Sequence, residues 1–216
     1  SGSWSGGMVI TGGTVIFVPS VTVVVPRDGG APTNLEKIYA DQGFDAVVAA
    51  VSDILSVGVS SQTLLTRDEM VKLIEPAGTI AFDNPDTIYV TTAPGSRDIL
   101  YASGRLELTA EQAVDYLDRY AEGENQIKRF SRAQVLWGAW LTALGSTPAT
   151  PAAGAAASGD AASAVSLMAA GPHTLQAIPI ESIAVPGSNG FSIFRPDAAE
   201  MPAFVAQAIP FPTSAY

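Results

Sequence analysis

The chain has 216 residues, a formal net charge of −10 at pH 7 and no cysteine. Its acidity excludes the broad basic surface that nucleic-acid backbones demand, and the lack of cysteine excludes disulfides, thiolate metal sites and thiol nucleophiles. A hydrophobic content of 47% suffices for one domain with a substantial core, while no run of about eighteen apolar residues is present to span a membrane.

In chain order, the opening SGSWSGG reads as a flexible leader over residues 1–7, with a single domain over 8–216. MVI, TVIFV and VTVVV are short β-branched strands joined by tight Gly and Pro connections. Residues 27–33 form a loop. Phe44, Val47, Val48, Val51, Ile54 and Leu55 recur on one stripe of an amphipathic helix. Gln62 to Leu65 reads as a strand. Thr66, with Glu69 three residues on, caps a helix that buries Met70, Leu73 and Ile74 and stops near Pro76-Ala77-Gly78. TIAF and TIYVTT are further strands, with Asp83-Asn84-Pro85-Asp86 as the turn between them.

Leu108 to Leu144 predicts two helices around a Gly-containing turn. Thr109 is the N-cap of the first, Gln112 completes a capping box, and Ala113, Leu117 and Tyr120 recur at helical spacing. The second carries Ile127, Phe130, Leu136, Trp137, Trp140, Leu141 and Leu144. Residues 145–164 are dominated by Ala, Gly, Pro, Ser and Thr and form a low-complexity loop, with helix regained from Ala161 to Ala170. IPIESIAV and FSIF then pair as strands, and Asp197 to Ala208 is a last helix burying Met201, Phe204 and Val205. Mixed strands and helices in this order predict a three-layer α/β/α domain with a mixed central sheet.

Arg129 and Arg132, i and i+3 near the start of a helix, leave its same side and suit a phosphate or pyrophosphate. The alternative is a solvated face paired with Glu122, Glu124 or Asp118, where exposed pairs contribute ~0–1 kcal/mol each. Arg27-Asp28 is a strand-ending turn or a site. Trp137 and Trp140 line a lipid slot or pack a core. His173, the only histidine, has no second histidine for a metal site. No G-x-S-x-G, G-x-x-x-x-G-K-[ST] or G-x-G-x-x-G occurs.

The ordered motifs resemble the LytR-CpsA-Psr (LCP) family. Leu108, Ala113, Val114 and Tyr116 fit its L-x-G-x-x-A-L-x-Y-x-R-x-R. Arg129 and Arg132 fit the two arginines of D-x-x-R-x-x-R-Q, VTVVVPRD fits a strand ending in I-P-R-D, and VPGSNGFSIFRPD resembles a closing Pro-Gly hairpin. The resemblance implies an extracytoplasmic cell-envelope domain, membrane-anchored or secreted, and a polyprenyl-phosphate lipid or cell-wall polymer as partner. Family members are implicated in moving glycopolymers from a polyprenyl-pyrophosphate carrier onto the wall. That chemistry needs cations on the pyrophosphate, a carboxylate-bound divalent metal and an apolar slot. Arg27, Arg129 and Arg132 would hold the anion, with Arg119 as a further cation.

The departures point to a degenerate, non-catalytic member. Asp118 and Tyr120 stand where Y-x-R-x-R has arginines, Gln126 replaces the motif's Asp, and Ala133 its Gln. No G-x-D-x-R or R-x-D-T precedes Val21, so the family's Mg has no matching aspartates and no cofactor is assigned. Two alternatives stand: an active phosphotransferase drawing on Asp41, Asp45, Asp83 or Asp86, and an unrelated α/β interaction domain.

Overall fold

The computed structural model describes residues 6–11, 13–25, 30–93, 96–121, 124–146, 159–184 and 192–209. The chain divides into two compact units, Ser1–Gln62 with Thr174–Tyr216, and Thr63–His173. The expected mixed α/β class is the one observed.

The first unit is built on a three-stranded mixed sheet. Strand β1 (Gly6–Thr11) runs antiparallel to β2 (Thr14–Pro19), and β9 (Thr174–Ala177) lies parallel on the other side of β2. Thr11 pairs with Thr14, and Gly13 supplies the positive φ, 91°, that so short a connection requires. β1 begins inside the stretch expected as leader, because Gly6 and Gly7 find partners in Pro19 and Val18. Every residue of β2 is buried, so both faces of this Val- and Ile-rich strand are covered.

The VTVVV segment contributes only β3 (Val23–Val24), paired with β4 (Thr33–Asn34). Asn34 then caps helix α1 (Leu35–Gln42), its Oδ1 accepting from the Lys37 amide at 2.8 Å. Helix α2 (Phe44–Leu55) follows the predicted stripe and buries Val47, Val51 and Leu55. These side chains join Ile16 and Val18 of β2, Leu35 and Ile38 of α1, and Met201 and Ala208 of helix α7 (Met201–Ala208) in one core. Strands β10 (Ile180–Ala184) and β11 (Ser192–Pro196) pair antiparallel, as predicted.

One expected strand is absent. Gln62 to Leu65 has no regular structure, since no described segment pairs with its backbone, and Gln62 instead donates to Asp45 at 2.8 Å.

The second unit opens with α3 (Arg67–Ile74), whose Thr66/Glu69 capping box forms as predicted; a 3-10 turn, Glu75–Ala77, ends it at Gly78. Strands β5 (Ile80–Asn84), β6 (Ile88–Ala93), β7 (Ser96–Tyr101) and β8 (Gly104–Leu108) follow. The Asp83–Asp86 segment does not close a hairpin. β5 pairs with β8, and β6 with β7. The physical reason is Asn84, which is buried and donates to the carbonyls of Asp86 and Ala102 at 2.6 and 2.7 Å, turning the chain away from β5.

Helix α4 (Ala110–Asp118) begins at Thr109 with the predicted capping box, the Thr109 amide donating to Gln112 at 2.9 Å. Helix α5 (Gln126–Ser146) packs along β5 and against α6 (Gly159–Ala169), which forms where helix was expected to resume. Trp137 and Trp140 are buried and meet edge-to-face at 4.9 Å. Residues 147–158 of the low-complexity segment lie outside the described residues.

Candidate functional site

The predicted cations of the second unit gather where α4 ends and α5 begins. The Asn125 side chain caps α5 by accepting from the Lys128 amide at 2.9 Å, which sets Arg129 at the end of the first turn and Arg132 at the end of the second. Helical spacing puts both on one side, and that side faces inward. Arg129 is 7% and Arg132 2% exposed, so the solvated-face reading is corrected: this is a buried pair of cations. Each lies over a tyrosine ring, Arg129 above Tyr120, which follows α4, at 4.3 Å and Arg132 above Tyr116, in its last turn, at 4.4 Å.

A buried guanidinium must find acceptors for its N–H groups. Arg132 grips Glu124 bidentately, Nε to Oε1 at 2.9 Å and Nη2 to Oε2 at 3.0 Å. Its Nη1 donates to the Tyr116 carbonyl at 2.9 Å and Nη2 again to the Arg119 carbonyl at 2.6 Å. Those two carbonyls belong to the end of α4, whose last C=O groups have no partner within the helix, so Arg132 caps α4 as a cation at its negative pole. Burial alone would favour loss of the Arg132 proton, but the hydrogen bonds and charge of Glu124 outweigh it and hold the pKa above its ordinary value.

The carboxylate is equally enclosed. The side chains of Arg132 and Glu124 are 1% and 5% exposed, and Glu124 Oε2 also accepts from the Ala121 amide at 2.8 Å. Below this pair the buried network continues. Tyr116 donates its hydroxyl to Asn84 Oδ1 at 2.7 Å, and its ring meets those of Phe82 and Tyr101 edge-on, both at 5.3 Å. Burial pushes the Tyr116 pKa up. Burial and the hydrogen bond to Asp115 push that of Tyr101 up to about 12.

The remaining predicted cation, Arg119, follows α4 and turns outward to Asp115 at 3.2 Å, with half its side chain exposed. Asp118, standing where the LCP motif has an arginine, pairs with Arg67 at 2.6 Å. Of the three acids weighed as partners for the arginines, Glu124 is the one Arg132 takes; Glu122 and the fourth predicted cation, Arg27, lie outside the described residues. Among the described residues, no three His, Asp or Glu side chains are grouped to hold a metal. The His173 ring turns its Nδ1 to the Gly171 carbonyl at 3.1 Å, where only a nitrogen-bound proton makes a bond. The roles of Tyr116 and Asn84 were missed in the sequence, because two polar groups separated by 32 residues leave no local signal.

No protein-family model matches the chain, and no curated protein matches it in sequence. Solved structures do. TagV of Bacillus subtilis superposes with a TM-score of 0.70 at 17% identity, over 92% of this chain and 84% of its own. A transcriptional regulator from Enterococcus faecalis gives 0.66 at 15% identity, over 90% and 75%. TagT, solved bound to LIIa-WTA, gives 0.63 at 13%, over 90% and 77%. The fold is therefore the LCP-like one that the ordered motifs implied.

Proposed function

We propose that this chain is an extracytoplasmic cell-envelope domain that binds a lipid-linked anionic polymer without processing it. Three facts support the reading. The fold is shared with TagT, which was solved bound to LIIa-WTA. Asp118 occupies a motif arginine position and neutralises Arg67. The observation that carries it is the third: Arg132, at the position of the motif's last arginine, spends four N–H contacts on Glu124, Tyr116 and Arg119 of its own chain. A charge so engaged has little left to offset charge developing on a transferring phosphoryl group. Displacing Glu124 would strand a buried carboxylate at a cost of about 3–5 kcal/mol.

Arg119 is the cation the ligand's phosphate meets. Its surface pair with Asp115 contributes ~0–1 kcal/mol and is readily exchanged for another anion.

Geranyl pyrophosphate, titrated with and without Mg, tests this. The expected result is a rise in Tm, since a ligand that favours the native state stabilises it, that is lost in Arg119→Ala, together with no release of phosphate. Mg-dependent release of phosphate by the wild-type chain, lost in Arg119→Ala at an unchanged ligand-free Tm, would establish a processing site instead. No rise at high ligand concentration would remove the lipid-phosphate reading.

A further inference from the structure

We infer that Glu124 is an intramolecular ligand: its carboxylate is the resident occupant of a carboxylate-shaped oxyanion site built by Arg132 and the Ala121 amide, and it determines that external phosphates are refused there. The inference rests on the proposed function only for which phosphate is being refused; the site itself is argued from geometry.

Five donor contacts define the site, and three of them converge on the carboxylate. Arg132 Nε and Nη2 address the two oxygens in parallel, at 2.9 and 3.0 Å, and the Ala121 amide takes the second oxygen at 2.8 Å. The other two, Nη1 to the Tyr116 carbonyl and Nη2 to the Arg119 carbonyl, hold the guanidinium in that orientation. This is a two-oxygen receptor, the arrangement by which a guanidinium holds a carboxylate or a phosphate, and here the enclosed space is filled by a carboxylate. Tyr116 closes one face of the guanidinium at 4.4 Å. Because the occupant is tethered to the receptor, its binding is intramolecular, whereas a free ligand must displace it and also give up its translational freedom.

The chemistry dictates a probe. Glu124→Ala deletes a methylene and a carboxylate, and acetate carries the same heavy atoms in the same planar group. The deletion therefore leaves a vacated receptor whose best small ligand is acetate. Formate fills it less completely. Phosphate can also present two oxygens to a guanidinium, but its two further oxygens would have to fit where Glu124 places only a methylene.

The experiment uses the full chain, in wild-type, Glu124→Ala and Glu124→Ala/Arg132→Met forms, titrated with acetate, formate and inorganic phosphate against chloride at matched ionic strength. Wild-type Tm is expected to follow the chloride control. Glu124→Ala is expected to melt lower and to recover most of the loss saturably in acetate, less in formate and least in phosphate. The double variant recovers in none. Should Glu124→Ala not fold, its refolding yield from urea is read in the same salts, with recovery in acetate but not chloride expected. A Glu124→Ala protein with no saturable response and no acetate-dependent refolding overturns the inference. So does a wild-type protein that takes phosphate saturably in an Arg132-dependent way. Neither result depends on geranyl pyrophosphate binding, so failure here and failure of the proposed function are separately visible.

Discussion

The guanidinium of Arg132 lies 4.4 Å over the ring of Tyr116 while its Nη1 donates, at 2.9 Å, to that same residue's carbonyl oxygen. One side chain on α5 thus holds both the face and the backbone of the last turn of α4. The α4–α5 corner is organised around a cation that ordinary expectation places in solvent.

That organisation predicts strong coupling. Arg132→Met and Glu124→Leu each leave a buried charge without its partner and should each cost about 3–5 kcal/mol. The double variant should cost clearly less than the sum, because neither charge remains. Urea denaturation of the four proteins measures it, and additivity within about 0.5 kcal/mol would show the two residues to be independent.

Tyr116→Phe should destabilise by about 1–3 kcal/mol, the cost of leaving the buried Asn84 Oδ1 without its donor. The ring is kept, so the aromatic contacts with Phe82 and Tyr101 are not lost. A urea midpoint equal to wild type would mean that the hydroxyl is not used.

Gly145→Ala sets two effects against each other. Alanine favours a helix over glycine by up to ~1 kcal/mol. An added Cβ, however, would overlap the Ala169 carbonyl, which is backbone of the crossing helix α6 and cannot rotate aside. Overpacking of this kind costs about 1–3 kcal/mol, so Tm should fall; a rise would show that α5 and α6 part easily.

Alkaline pH gives a signed test. The Tyr101 pKa is raised to about 12 in the fold from 10.0, chiefly by burial and then by the Asp115 hydrogen bond, so folding favours the neutral phenol. Its contribution is complete below pH 10 and is lost as pH rises through about 12, where the unfolded chain has already released that proton. Stability should decline between those values, and Tyr101→Phe should flatten the decline. Tyr116, raised in the same direction, keeps some slope in the variant. An unchanged profile in Tyr101→Phe would contradict the assignment.

What was legible in the sequence was local. Thr66 with Glu69 and Thr109 with Gln112 announce helix starts because both halves of a capping box lie within one turn, and both boxes form. The α2 stripe is read correctly because each apolar residue sits one turn from the next. Helix α1 escaped notice, since LEKIYADQ buries only Leu35 and Ile38 and is begun by a single Asn34 cap. The partnering of β5 with β8 was illegible because it is set across the β6–β7 hairpin, and Asn84 redirects the chain with two side-chain hydrogen bonds. The resemblance picked out Arg27, Arg129 and Arg132, with Arg119 as a further cation one position off its motif; of these, Arg129 and Arg132 are buried on α5 while Arg119 turns outward. Glu124 was among the acids weighed as partners for the arginines, but on a solvated face; the burial of its pair with Arg132 was illegible, because the two lie eight residues apart across a turn rather than at helical spacing.

The account turns on Arg132 being closed to outside anions. The side-chain Nε–H resonance of Arg132, assigned through its loss in Arg132→Lys, reports on that directly. A proton held to Glu124 in a site 1% exposed exchanges slowly with water. The predicted result is a resonance that remains protected from exchange when geranyl pyrophosphate is added to saturation. A resonance that loses its protection as the ligand is added would contradict it, for Arg132 would then have left Glu124 for the pyrophosphate.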